Sequence, residues 1–151
     1  MTFAMLSVLL FILFYLNTLP TILKSVFVDY ILSNRYKEIK LPNSVTYIGH
    51  GAFSHCKSLT SVNIPDGVEK IEDMTFSMCM SLTDIHIPAS VKSIGDAAFH
   101  WCRSLESISL SDSVTYIGGL SFEHCSRLIV KCPKDSYAYK YCMQNNIKVQ
   151  I

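Results

Sequence analysis

A 23-residue period governs this chain. Phe53, Phe76, Phe99 and Phe122 are spaced by 23 residues, and Cys56, Cys79, Cys102 and Cys125 keep the same step, as do Leu59, Leu82, Leu105 and Leu128. Ile48, Ile71, Ile94 and Ile117 fall in the same register, with Val45, Val68, Val91 and Val114. The residue before each Phe stays small: Ala52, Thr75, Ala98, Ser121. Columns this regular are far beyond chance. One supersecondary unit of this length cannot bury its own apolar stripe, so the units must stack into a solenoid. Equivalent side chains then become continuous ladders through one core.

Within a unit, Leu59-Thr60-Ser61-Val62-Asn63-Ile64 alternates near its end and stops at Pro65. It reads as a short strand with Val62 and Ile64 inward and Ser61 and Asn63 outward. Pro42, Pro65 and Pro88 close successive strands, since proline has no ladder donor; the fourth unit has Ser111 instead. Val68 to Ile71 predicts a second extended piece, and the following Gly-x-x-Ala-Phe predicts one helical turn. Gly49, Gly95 and Gly118 mark the corner between them, as positions expected to need positive φ. Glu72 breaks that column, which predicts a differently built corner.

The ends differ from the middle. After Leu128 the register shortens by one residue, with Val130 and Cys132 at strand positions and Pro133 closing the strand. Asp135 or Ser136 is placed to N-cap a helix from Tyr137 to Gln144, with Asn145 or Asn146 as C-cap, before a last strand in Ile147–Ile151. Residues 133–151 therefore read as a cap over the open end of a solenoid spanning 34–132.

Residues 1–33 are a separate hydrophobic segment in which only Lys24 and Asp29 are charged. The run Phe3–Leu16, broken only by Ser7, has the length of a secretory h-region and is short for a membrane span. No Lys or Arg precedes it and no A-x-A-like site follows it. Three readings stay open: a signal peptide, a retained anchor with the following basic residues on the cytosolic side, or a degenerate first repeat.

Composition excludes whole classes of function. With 50% hydrophobic and 17% charged residues the chain is no disordered tail, and 151 residues favour one domain. Thirteen Lys+Arg against 12 Asp+Glu leave a formal charge of +1, without the cationic excess of a nucleic-acid binder. No G-x-S-x-G, H-E-x-x-H, Walker loop or G-x-G-x-x-G is present, so no catalytic, metal or cofactor residue is assigned. The cysteine column reads first as small buried thiols, with inter-rung disulfides as the alternative; Cys132 and Cys142 are the leading disulfide pair. No close C-x₂₋₄-C pair supports zinc. His55 and His124 precede column cysteines, but alternation turns the imidazole outward beside a core thiol. Trp101, at the same position, is either a surface anchor or core.

The informative variation lies on the outward strand positions. Rung by rung these read Glu38 and Lys40, Ser61 and Asn63, Asp84 and His86, Ser107 and Ser109. A regular scaffold with a varied polar stripe is how solenoids present an extended binding surface, and these eight residues are the candidate partner site.

The recurring I-P-x-x-V-x-x-I-G-x-x-A-F-x-x-C-x-x-L, best matched by Leu41–Cys56, Ile64–Cys79 and Ile87–Cys102, resembles the leucine-rich repeat of BspA-like, treponemal-type surface proteins. The resemblance covers roughly residues 36–151. It implies an α/β solenoid: a short curved leucine-rich repeat array, with parallel strands on the concave face and short strands or helical turns on the convex side. It also implies a secreted or surface-displayed, non-catalytic adhesion module. Its partner would be a protein, from host matrix or another cell surface, with no nucleic acid and with a membrane only through the N-terminal segment. The alternative function is an intracellular leucine-rich repeat scaffold.

Overall fold

The structure, a computed structural model, describes residues 37–151. The expected reading of residues 1–33 lies outside the described residues. Six three-residue strands form one parallel sheet in the order β1 (Glu38–Lys40), β2 (Ser61–Asn63), β4 (Asp84–His86), β6 (Ser107–Ser109), β8 (Ile129–Lys131) and β9 (Lys148–Gln150). Three two-residue strands, β3 (Lys70–Ile71), β5 (Ser93–Ile94) and β7 (Tyr116–Ile117), form a second parallel sheet in that order. Each coil therefore contributes one strand to each sheet and closes through a third side made of turns.

Register follows the sequence period. Val62 pairs with Ile85 and Ile85 with Ile108, while Ile108 pairs with Val130, one residue short of the full step, as the altered spacing predicts. In each triplet from β1 to β8 the central side chain is buried and its neighbours face outward, because alternation leaves one apolar residue per strand to reach the core. The closing prolines have a positive use as well. The carbonyls of Pro42, Pro65 and Pro88 accept from the N–H of Val45, Val68 and Val91 at 3.0, 3.0 and 3.1 Å, and Ser111 makes the same turn to Val114.

The phenylalanines form one stack. Successive ring centroids lie 5.3, 5.4 and 5.6 Å apart with interplanar angles of 3°, 11° and 10°. The cysteine column beside it is a hydrogen-bonded ladder. The thiols of Cys79, Cys102 and Cys125 donate to the carbonyls of Phe53, Phe76 and Phe99, in each case on the preceding coil, at 3.0, 3.1 and 3.0 Å. Each of these carbonyls also accepts a backbone N–H, from Cys56, Cys79 and Cys102 at 3.2, 3.2 and 3.1 Å, so the thiol is a second donor that ties one coil to the next.

Two expectations about the corners are corrected. The glycine column is not where φ is positive; among the described residues Gly51 is the glycine in that region. Gly95 and Gly118 are required by close approach. A Cβ on Gly95 would fall on the Asp73 carboxylate and 2.5 Å from the Asp73 nitrogen; on Gly118 it would fall on the Asp96 carboxylate and 2.6 Å from the Asp96 nitrogen. The Asp73 carboxylate occupies that space because it accepts from the Asp96 N–H of the next coil at 2.9 Å. Glu72 fits its column because the residue standing one coil before Asp73 is His50, with no aspartate to clear.

The segment after the corner is not a helical turn. It is a run of linked turns, such as Ala52 N–H to Gly49 O and Ser54 N–H to Gly51 O, broken by two left-handed residues per coil. One column holds Gly51, Met74, Ala97 and Leu120 at φ of 63°, 55°, 52° and 53°. The other holds His55, Met78, Trp101 and His124 at 62°, 60°, 63° and 62°. A left-handed residue interrupts a right-handed helix outright, and for a residue with a Cβ it costs about 1–2 kcal/mol.

The C-terminal helix and strand lie where their sequence signals place them. Helix α1 (Tyr137–Gln144) starts at Ser136, whose side chain accepts from the Tyr139 N–H at 3.1 Å, and ends at Asn145. Asn146 follows at φ 55°, the left-handed exit common after helices. The helix buries Ala138 and Cys142 and sets Tyr141 edge-on against Phe122, closing the aromatic stack.

Candidate functional site

The eight outward strand residues come together as expected. Pairing aligns Glu38, Ser61, Asp84 and Ser107 in one column and Lys40, Asn63, His86 and Ser109 in the next. Glu38, Lys40, Asn63, Asp84, His86 and Ser109 are exposed, and Ser61 and Ser107 are half-buried. The columns continue into residues the sequence reading left out: Ile129 and Lys148 extend the first, Lys131 and Gln150 the second. The altered spacing after Leu128 was the available signal for them. At about 4.8 Å per strand, six strands give a stripe about 24 Å long.

The members of the stripe are not equally available. Asn63 is engaged by the neighbouring coil: its Oδ1 accepts from the Leu41 N–H at 2.7 Å and its Nδ2 donates to the Leu41 carbonyl at 3.2 Å. That bidentate contact completes the backbone just beyond β1, so Asn63 has a structural duty there. Asp84 and His86 sit side by side on the exposed edges of β4, the middle of the stripe. The surface is polar and of mixed sign, with one exposed apolar element in Ile129, which is 37% exposed.

The turn side carries a second, unlike constellation. Trp101 is half-buried, its ring 4.5 Å from that of His124, with the Arg103 guanidinium carbon 4.1 Å from its centroid. His100 Nε2 lies 3.3 Å from Glu123 Oε2. The two histidines that precede column cysteines face outward as expected: His55 and His124 are exposed while Cys56 is buried and Cys125 half-buried.

Thiol chemistry is subdued in the core. Cys79, Cys102, Cys125, Cys132 and Cys142 are all thiols, so the Cys132–Cys142 pair is unbridged in this structure. Burial pushes the Cys79 thiol up, as the neighbouring Cys56 also does. The hydrogen bond with Cys125 and burial raise Cys102, while the same hydrogen bond lowers Cys125, the half-buried end of the ladder. Burial, with Cys132 nearby, pushes Cys142 up to about 12. Buried protonated thiols are poor nucleophiles, so Cys79 and Cys102 act as packing and as hydrogen-bond donors. Among the described residues no helix is long and apolar enough to cross a membrane.

The repeat described as a BspA type leucine rich repeat region matches residues 19–150 in six copies. The chain belongs to the BspA-type leucine-rich repeat family. Its solved relatives are of the same kind. It is similar to a leucine-rich repeat protein from Bacteroides ovatus, 28% identical with a TM-score of 0.53 over 76% of this chain and 37% of that one. It is similar to a leucine rich cell surface protein from Faecalibacterium prausnitzii, 28% identical with a TM-score of 0.54 over 77% of this chain and 36% of that one. It also resembles the T. pallidum leucine rich repeat protein, 27% identical with a TM-score of 0.54 over 64% of this chain and 59% of that one. This chain therefore spans roughly a third to three-fifths of their lengths. No curated protein matches it at a significant level. The BspA-type match begins at residue 19 and so includes a stretch before the described solenoid.

Proposed function

We propose that this BspA-type array is a non-catalytic protein-interaction module that engages a protein partner through its six-stranded face. The observation that carries the reading is the contrast between invariant and varied positions in one register. Every inward strand residue from β1 to β8 is Ile or Val, whereas the outward columns run through acid, base, imidazole, amide and hydroxyl. A fold needs only that the outward face be soluble. Variation in chemistry at fixed spacing is what a recognition surface needs. Display outside the cell is part of the proposal and is supported by the likeness to a cell surface protein.

The test is binding of the full chain to immobilised extracellular-matrix proteins and to intact cells. Asp84→Lys and His86→Ala should each weaken the contact found for the unaltered chain while the thermal midpoint moves little, because exposed substitutions of this kind shift stability by about 0.5 kcal/mol or less. Unchanged binding of both variants to every surface that retains the parent chain would overturn the site.

The second reading is an intracellular scaffold with the same fold, in which a reducing compartment would keep the cysteines as thiols. Sequencing the mature N-terminus and counting thiols in protein isolated from its own cell separates the two. A product beginning at Met1 with every thiol reduced supports the scaffold; loss of the first segment supports export.

A further inference from the structure

We propose that His100, Glu123 and His124 form a binding site for a zinc-class divalent transition metal, straddling two adjacent coils on the turn side. One ligand atom from each of the three residues lies within 4.8 Å of the others. The separation of His100 Nε2 and Glu123 Oε2, 3.3 Å, is the one a metal would impose. Tetrahedral zinc with bonds of about 2.0–2.1 Å places neighbouring ligand atoms about 3.3 Å apart. His124 offers the third ligand atom, within 4.8 Å of the other two.

The backbone holds the ligands in place. The N–H groups of Phe99 and Trp101 donate to the carbonyls of Ser121 and Glu123, both at 2.9 Å, which locks one ligand-bearing turn against the next. The Trp101 ring, 4.5 Å from that of His124 and inclined at 50°, limits where the imidazole can lie. The Arg103 guanidinium is taken up over the Trp101 ring, its carbon 4.1 Å from the centroid. Ligands carried on a rigid scaffold and steadied by neighbours are what a specific metal site requires.

The repeat itself argues that these residues are not there for the fold. The position of His100 and Glu123 is filled by Ser54 and Ser77 in the earlier coils, and the position of His124 by His55, Met78 and Trp101. The same backbone forms with serine or methionine, so two imidazoles and a carboxylate meeting at one junction is a property of the side chains chosen. Their chemistry selects the ion. Two imidazoles suit zinc and its neighbours in the first transition row, while a single carboxylate is too few oxygens for calcium or magnesium. Three protein ligands leave a fourth position for water or for a side chain of a docking partner.

The test uses the full chain, kept reduced and titrated with zinc chloride against a chromophoric chelator. One equivalent should bind, and the thermal midpoint should rise with zinc. His100→Ser and Glu123→Ser, which install the residue of the earlier coils and so preserve folding, should each weaken binding about 10-fold or more, as should His124→Ala. Replacing zinc by cobalt reads the donors directly: weak visible bands without an intense near-ultraviolet thiolate transition fit imidazole and carboxylate. Failure to bind zinc, affinity in the three variants unchanged from that of the parent chain, or a thiolate spectrum pointing to the cysteines would each overturn the site.

Discussion

The two sides of each coil are held together by different means. On the sheet side, short strands pair in a plain parallel ladder, one β-branched residue per strand points inward, and the outward residues are free to change. On the turn side, no strand forms among the described residues, and the same task falls to stacked rings, donor thiols, close-packed glycines and residues held at positive φ. Backbone pairing is generic, so the sheet side can afford variety on its surface. Packing and close approach are specific, so the turn side dictates its sequence inward. Where the turn side nevertheless varies outward, as at His100, Glu123 and His124, the variation is not explained by the scaffold.

This contrast can be broken in steps. The largest effect belongs to Phe76→Ala, which removes the fully buried middle of the ring stack and should cost about 3–5 kcal/mol in chemical denaturation, against about 0.5–1.5 kcal/mol for Ile85→Val on the sheet side. Equal losses would show the two sides to be alike. Next comes the glycine column. Gly95→Ala should cost about 1–3 kcal/mol by overpacking against the Asp73 backbone, whereas Gly49→Ala, whose nearest new neighbour would be Tyr47 at 3.7 Å, should be close to neutral in the same experiment.

Alkali should probe the thiol ladder. Cys79 and Cys142 have folded pKa values raised by burial above the ordinary thiol value of 9.0, so between that pH and their own ionisation the folded chain holds more protons than the unfolded one. Stability is then fully present below about pH 9 and falls as pH rises toward 12, by about 1.4 kcal/mol per pH unit for each such thiol. Unfolding midpoints at pH 8, 9.5 and 10.5, compared with a Cys79→Ala variant that loses part of the slope, check this. The smallest effect is a gain. Leu120, 59% exposed at φ 53°, should yield up to about 1 kcal/mol on Leu120→Gly, since relief of left-handed strain exceeds the added freedom of the unfolded chain. A loss of stability would mean that the Leu120 side chain is needed where it lies.

What could be seen in the sequence was what repeats. The Phe column, the strand around Val62 and the eight polar stripe residues all appear where their spacing or alternation puts them, because stacking forces equivalent residues into equivalent environments; the helix Tyr137–Gln144, which does not repeat, was marked instead by its capping residues. Three features were hidden for physical reasons. A glycine needed for close approach looks the same in sequence as one needed for positive φ, and Gly95 proved to be the former. Left-handed residues were missed because His55, Met74, Trp101 and Leu120 carry no glycine signature; tertiary stacking overrides their local preference. The cluster of His100, Glu123 and His124 occurs once, so no column announces it, and its members meet only across coils 23 residues apart.

The three thiol-to-carbonyl bonds of the turn side point the same way. Cys79, Cys102 and Cys125 each donate to a carbonyl 26 residues earlier. Every loop of the spiral is thus completed by its successor. As a nascent chain leaves the ribosome, its coils should mature in the order of synthesis, and amide protection in stalled chains of increasing length should advance from the N-terminal end one coil behind the newest.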